Sequence, residues 1–483
     1  MPNPHDLVRY PDLCFPQTHP VALGAFAQLF GKPHAPFAAS RVLEIGCGGG
    51  VNLISMALGA PASEFVGVDL AEQPIALARA AAEASGLRNV RFCAQDIRDM
   101  DASLGRFDYI IAHGVYAWVP ADVGRALMRI VGELLGADGL ALISYAAHPG
   151  GRLHQAVRDV LLAAAGGADD PHEGLARARA ALAEQIAMWS EADAFQRAMI
   201  AVARHIIEQP PEVLFHDEMT AFYAPRLLSD VVAAAGEVGL AYLCDAQPRF
   251  SAEAFFPSEK YAAARASAGA DWARFEQFVD FTEMRSFRSS IFCRGDGADR
   301  RLEPLRLRGL WACGDLRAAE PDPAEPGSFA FRANGARIAT NNPTLAGFLA
   351  DLAAAFPSSI ALDAAAEEPG LAQYVLTLFV ANVIRVTTAP PPFALAPGER
   401  PIASPLARFQ AARGEATVAT LLHYPHTLGD STSRDFLALL DGTRTRDDLA
   451  RELAARTGAT EEAARTKVTE RLAELARLCL MAG

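Results

Sequence analysis

The chain has no apolar run approaching the roughly 18 residues that a membrane-spanning helix needs. Its opening, Met-Pro-Asn-Pro-His-Asp, lacks the basic and apolar sections of a secretion signal. Cysteine is sparse and unpatterned, with seven residues and no C-x-x-C spacing. That argues against a disulfide framework and points to reduced, buried thiols. Positive charge is also short, with 44 Lys and Arg against 57 Asp and Glu, a formal net charge of −13. Broad nucleic-acid binding needs a basic surface to replace counterions, so that class is disfavoured. No His/Cys/Asp cluster has metal-ligand spacing, and no Ser/His/Asp arrangement stands out. The expectation is a cytoplasmic protein with no membrane insertion, no metal and no nucleic-acid partner. Length and apolar content are ample: 483 residues at 51% hydrophobic allow sizeable cores, enough for about two to four domains.

Residues 42–50, Val-Leu-Glu-Ile-Gly-Cys-Gly-Gly-Gly, are the most informative stretch. An apolar strand carrying Glu44 breaks into a glycine turn and then a helix, the corner where a backbone can approach a ligand closely. The dinucleotide pattern G-x-G-x-x-G fails, because Val51 stands at the sixth position. The G-x-G-x-G form with an acid two residues ahead resembles the first motif of class I S-adenosylmethionine-dependent methyltransferases. A second strand, Phe65–Val68, ends in Asp69, whose carboxylate suits two ribose hydroxyls. A third, Val90–Ala94, leads to Asp96 and Ile97, and a fourth, Phe107–Ala112, ends in His113-Gly114-Val115. Gly139–Tyr145 supplies a fifth. Acids at successive strand ends match the rule that open α/β sheets bind ligands at their carboxyl edge. NAD is the rival cofactor, and the failed glycine pattern together with Asp96 argues against it.

The remaining chain divides by composition. The Pro- and aromatic-rich segment Tyr10–Pro20 is read as a flap over the cofactor, with Tyr10, Gln17, Thr18 or His19 reaching its methionine end. Two further strands are expected at Leu240–Cys244 and Arg288–Arg294, which makes 151–225 a helical insertion overhanging the site. The expected division is 1–150 with 226–297 as the sheet domain, 151–225 as a lid, and 298–395 and 396–483 as winged-helix-like units. A helix over Leu371–Val386 is part of the third unit. These last two units carry no basic recognition stripe and are expected to serve architecture or partner recognition. The fold class is therefore α/β, a Rossmann-like class I methyltransferase sheet with helical insertions, followed by α-rich winged-helix-like C-terminal domains.

Further strings narrow the family. They are Phe15-Pro-Gln-Thr-His-Pro20, Ala112-His-Gly-Val-Tyr-Ala-Trp-Val-Pro120, Ser144-Tyr145 with Pro149-Gly150, Asp280–Arg288 and Leu439–Thr443. Together they resemble bacterial methyltransferases with a methyltransferase regulatory domain, similar to the rickettsial protein-lysine methyltransferases that modify outer-membrane protein. The resemblance implies S-adenosyl-L-methionine as cofactor, held by Glu44, Gly46, Cys47, Gly48, Asn52, Asp69, Leu70, Asp96, Ile97, His113, Gly114 and Val115. In that family Asp96 would take the adenine amino group and Ile97 would pack on the ring. Tyr116, Trp118 and Tyr145 are candidates for an aromatic channel around a lysine acceptor, since ring faces attract an ammonium. Ala146 and Gly151 depart from the family pattern beside the acceptor, so a small-molecule acceptor stays open. So does a non-catalytic regulatory protein with a vestigial cofactor fold. A homodimer is compatible with the sequence.

Overall fold

The structure, a computed structural model, describes residues 7–482 apart from 167–169, 248, 250–257, 296–298, 300–301, 322–326 and 394–395. Seven strands form the central sheet: β1 (Arg41–Ile45), β2 (Glu64–Asp69), β3 (Val90–Ala94), β4 (Phe107–Ala112), β5 (Leu135–Ala146), β6 (Ala241–Asp245) and β7 (Phe287–Cys293). Their order is β3-β2-β1-β4-β5-β7-β6, and only β7 runs against its neighbours. The near-continuous apolar runs follow from burial on both faces. Val42, Tyr109, Ile111, Leu140 and Leu142 face one core cluster. Leu43, Ile45, Ile110, Ala141 and Ile143 face the other. The strand order reverses between β1 and β4, which opens a crevice at their carboxyl ends.

The insertion leaves the end of β5 as four helices, Gly150–Ala165, Pro171–Met188, Ala194–Ile207 and Pro211–Glu218. They close a small core of their own around Val157, Leu161, Leu182 and Leu214. The chain then returns through helix Leu228–Glu237, β6, helix Trp272–Glu283 and β7. Part of the 280–288 string proves to be architectural. Arg288 is fully buried and donates from Nε and Nη2 to both oxygens of Asp280 at 2.7 and 2.9 Å. It also reaches Glu276 Oε2 at 3.0 Å, while Arg285 pairs with Asp245 at 2.7 Å.

After β7 the first cluster continues without a break into Leu349, Leu376 and Phe379, so the 300–390 region shares a core with the sheet. The expected helix over Leu371–Val386 stops at Val380. Asn382 takes a left-handed φ of 56°, and Arg385–Thr387 becomes a strand paired with Trp311–Cys313. The last region holds helices Pro405–Ala412, Ser431–Ala438, Arg446–Thr457 and Glu461–Arg477 with a ribbon of Thr417–Ala419 and Pro425–Thr427. Helix Pro405–Ala412 packs on helices Val51–Leu58 and Glu72–Ala84, the two that flank the glycine turn. Of the proposed boundaries, residues 297, 298 and 395 lie outside the described residues. Among the described residues no helix is long and apolar enough to cross a membrane.

Candidate functional site: a divided cavity at the strand ends

A cavity of about 750 Å³ lies where the strand order reverses. One wall is the glycine turn. Gly46, Gly48 and Gly50 have φ of 77°, 50° and 76°, which L side chains rarely adopt. A Cβ on Gly46 would stand 2.4 Å from Val115, and one on Gly50 would stand 2.7 Å from Phe92. Val115 is thus the floor under the turn. The turn is tied to β2 by Gly48 N–H donating to Asp69 Oδ2 at 2.9 Å, and Ala71 N–H donates to Oδ1 at 2.9 Å. Each oxygen keeps a lone pair for a hydroxyl.

Glu44 is only 4% exposed, yet it lines the cavity. Its Oε1 accepts from Asn52 Nδ2 at 2.7 Å, while Oε2 has no partner. Burial pushes its carboxyl up to about 8. An orphaned carboxylate oxygen at a cavity wall calls for a cationic partner. The amino-acid end of S-adenosylmethionine carries an ammonium, and its ribose carries the paired hydroxyls that suit Asp69. The residues present therefore fit that cofactor. His113 and Gly114 also line this half. The His113 ring packs against Phe15 at 4.2 Å between centroids, and burial holds its pKa down to about 4.

The flap lies across the turn, but through residues other than those expected. Asp12 Oδ1 accepts from Gly49 N–H at 3.0 Å, and a Cβ on Gly49 would sit 2.3 Å from that oxygen. Arg9 holds Asp12 at 2.6 Å and also reaches Glu415 of the last region at 2.8 Å. Tyr10 lines the cavity, whereas Gln17, Thr18 and His19 do not. The physical reason is Pro16, which starts a 3-10 turn over Pro16–Thr18. Thr18 is buried, donating to Phe15 O at 2.7 Å and accepting from Asn52 Nδ2 at 3.1 Å. His19 caps helix Pro20–Leu29, packs its ring on Phe37 and His423, and faces a second cavity of about 350 Å³.

Other expected positions also fall outside the cavity wall. Leu70 is 61% exposed. Asp96 and Ile97 sit past the end of β3, where Arg98 takes the Asp96 carboxylate with Nη2–Oδ2 at 2.7 Å and then reaches Asp122 at 3.0 Å. The three aromatics expected to form a channel are not brought together at the cavity wall. Tyr145 is fully buried, its hydroxyl on Ser290 Oγ at 2.9 Å. Tyr116 packs near it with ring centroids 6.3 Å apart and lies under Arg226. Both belong to the core beneath β5 and not to the cavity. Cys47 and Asn52 do line it.

Trp118 is the candidate that stays at the wall, now facing the insertion. Its Nε1 donates to Asp217 O at 3.1 Å, and its ring lies 5.8 Å from Tyr223 and 6.3 Å from Phe287. This second half of the cavity is acidic and aromatic, with Tyr10, Asp217, Glu218 and Tyr223 on its wall. Sequence reasoning passed over Asp217 and Glu218. The available signal was two adjacent acids at the end of an insertion already expected to overhang the site. Among the described residues no group of His, Cys, Asp and Glu could hold a metal ion.

Residues 37–208 match a methyltransferase domain family. Residues 210–294 match a predicted methyltransferase regulatory domain, and residues 399–480 match the PKMT C-terminal winged helix domain. An uncharacterised protein of Rickettsia prowazekii is 31% identical over 295 residues, 61% of this chain and 53% of that protein. A second one from the same organism is 37% identical over 158 residues, 33% of this chain and 63% of that protein. The chain thus spans 53% and 63% of these relatives' own length, less than two thirds of either. The structure of PKMT2 from Rickettsia typhi superposes with a TM-score of 0.86 at 23% identity, covering 98% of this chain and all of that one, which shows a common fold. PKMT2 has also been solved in complex with AdoHcy. The chain thus carries, in order, segments that match a methyltransferase domain, a predicted methyltransferase regulatory domain and a PKMT C-terminal winged helix domain, on a fold it shares with PKMT2 of Rickettsia typhi.

Proposed function

We propose that the protein transfers a methyl group from S-adenosylmethionine to the side-chain nitrogen of lysine on a protein substrate. One observation carries this reading: a single cavity joins a cofactor cradle to an acidic, aromatic half roofed by the insertion. When bound, the cofactor supplies an activated methyl group on a sulfonium. This chain's residues must then hold donor and acceptor in line, which can supply much of the acceleration in such a displacement. Glu44 would take the cofactor's ammonium, and Asp69 its ribose. Asp12 would hold the flap down on Gly49 and exclude water. Trp118 and Tyr223 would flank a cationic side chain, whose attraction to a ring face is worth about 0.5–2 kcal/mol. A cytoplasmic site of action belongs to the same reading. So does a protein acceptor, supported by accessory regions larger than a metabolite enzyme requires.

The test uses the full chain with donor labelled in its methyl group and a size-fractionated lysate of cells lacking the gene. Label in protein, mapped by mass spectrometry to lysine, supports the proposal. Label confined to small molecules rejects the protein acceptor, and failure to bind the donor rejects the reading as a whole.

A further inference from the structure

The acidic half of the cavity has a composition that cofactor binding leaves unused. Helix Pro211–Glu218 ends with Asp217 and Glu218, both on the cavity wall. Their surroundings neutralise them only in part. Arg158, a neighbouring cation, gives its hydrogen bonds to backbone and not to either carboxylate. Its Nη1 donates to the carbonyl of Asp217 at 2.7 Å, its Nη2 donates to that of Thr220 at 2.8 Å, and its guanidinium lies 4.5 Å over the Tyr223 ring. Glu218 is 8% exposed, with Oε1 3.4 Å from His154 Nδ1 and Oε2 without a partner. Asp217 Oδ2 accepts from Tyr10 of the flap, at 3.4 Å. Two adjacent, largely buried carboxylates that share one cation, and receive no hydrogen bond from it, are costly unless a ligand brings further positive charge.

We propose that Asp217, seconded by Glu218, recognises the acceptor as a cationic amine and removes its proton before methyl transfer. The inference rests on the methyltransferase reading and names the acceptor class for the same site. The ammonium R–NH₃⁺ enters and pairs with the Asp217 carboxylate. One proton passes from nitrogen to a carboxylate oxygen, which leaves the lone pair of R–NH₂. That lone pair forms the N–CH₃ bond as the S–CH₃ bond breaks with its electrons going to sulfur. The sulfonium becomes a neutral thioether, and the product is R–NH₂⁺–CH₃. The proton on Asp217 returns to solvent when the flap opens.

The environment suits that role. Burial, then the neighbouring Glu218 charge, raise the Asp217 carboxyl to about 7, against smaller opposing effects of Tyr10 and Arg158. A base poised near the working pH combines a useful ionised fraction with greater basicity than an ordinary carboxylate. The other titratable groups facing this half are His154 and His205 from the insertion, His216 from the same helix, and Tyr223.

Calorimetry on the full chain saturated with S-adenosylhomocysteine tests this. The probes are Nα-acetyl-lysine methylamide and its norleucine counterpart, which lacks only the amine. The lysine probe should bind at least about tenfold more tightly, with affinity rising as pH passes through 7. Asp217→Asn should erase that preference and Asp217→Glu should restore most of it, both variants keeping wild-type affinity for S-adenosylhomocysteine. Undetectable lysine-probe binding, equal binding of the two probes, or an Asp217→Asn variant that keeps the preference overturns the assignment. Failure of the wild type to bind S-adenosylhomocysteine overturns the methyltransferase reading, and this inference with it.

Discussion

Glu44 makes a quantitative prediction about proton release. In the free protein its carboxyl is held at about 8 by burial, against a hydrogen bond from Asn52. At pH 7 about nine in ten molecules then carry the proton, and ionising Glu44 there costs about 1.4 kcal/mol. Pairing with the ligand's ammonium requires the ionised form. Binding of S-adenosylhomocysteine, which keeps that ammonium and lacks the sulfonium charge, should therefore release about 0.9 proton at pH 7. Affinity should rise close to tenfold per pH unit up to about 8 and level off above. Calorimetry in two buffers of different ionisation enthalpy reads the proton number directly. Glu44→Gln should reduce it to near zero and flatten the pH dependence. Absent release in the wild type, or undiminished release in the variant, refutes the argument. The folding linkage of the empty protein has its own sign. A carboxyl raised in the folded state gives stability that is fully present below its unfolded value near 4.5 and is lost as pH rises toward about 8.

Three further outcomes follow from the geometry. Arg288→Ala strands the buried carboxylates of Asp280 and Glu276, and should cost about 3–5 kcal/mol in denaturant unfolding; a loss below about 1 kcal/mol would show the cluster to be solvated. Tyr145→Phe removes a bond to Ser290 and should cost about 1 kcal/mol of stability while leaving methyl transfer unchanged, and a large fall in turnover would restore the channel role. Gly49→Ala places a Cβ 2.3 Å from Asp12 at a position without a positive φ, so it should lift the flap. The expected sign is faster tryptic cleavage after Arg9 and weaker S-adenosylhomocysteine binding, by roughly the 1.5–3 kcal/mol typical of a hydrogen bond to a charged group. Unchanged cleavage would show that the flap is anchored elsewhere.

The sheet was legible in the sequence because buried parallel strands are nearly continuous apolar runs and the glycine turn punctuates them. The placement of Glu44 and Asp69 could be read because strand ends are fixed by that same pattern. Asp96 could not, since its surroundings depend on Arg98, two residues on, claiming the carboxylate. Tyr145 was misplaced by one step of strand alternation, which sends it into the core beneath β5, in register with Arg288. Asp12, Asp217 and Glu218 read as ordinary solvated acids until the flap and insertion fold over the turn. The helix assigned to Leu371–Val386 ran six residues too far, because nothing local announces that Arg385–Thr387 will find a partner strand at Trp311–Cys313. Tertiary pairing overrides propensity there.

The Arg9 fork has a consequence for the timing of synthesis. It joins Asp12 to Glu415 above the turn that carries Gly49. All strands of the sheet have been made once Cys293 is added. At about 5–20 residues per second, the stretch from there to Glu415 takes on the order of 6–24 s more. Through that interval the nascent chain holds a formed glycine turn whose cover lacks its far anchor. The flap's second anchor is therefore added only when Glu415 has been made and docked, well after the glycine turn it helps to cover.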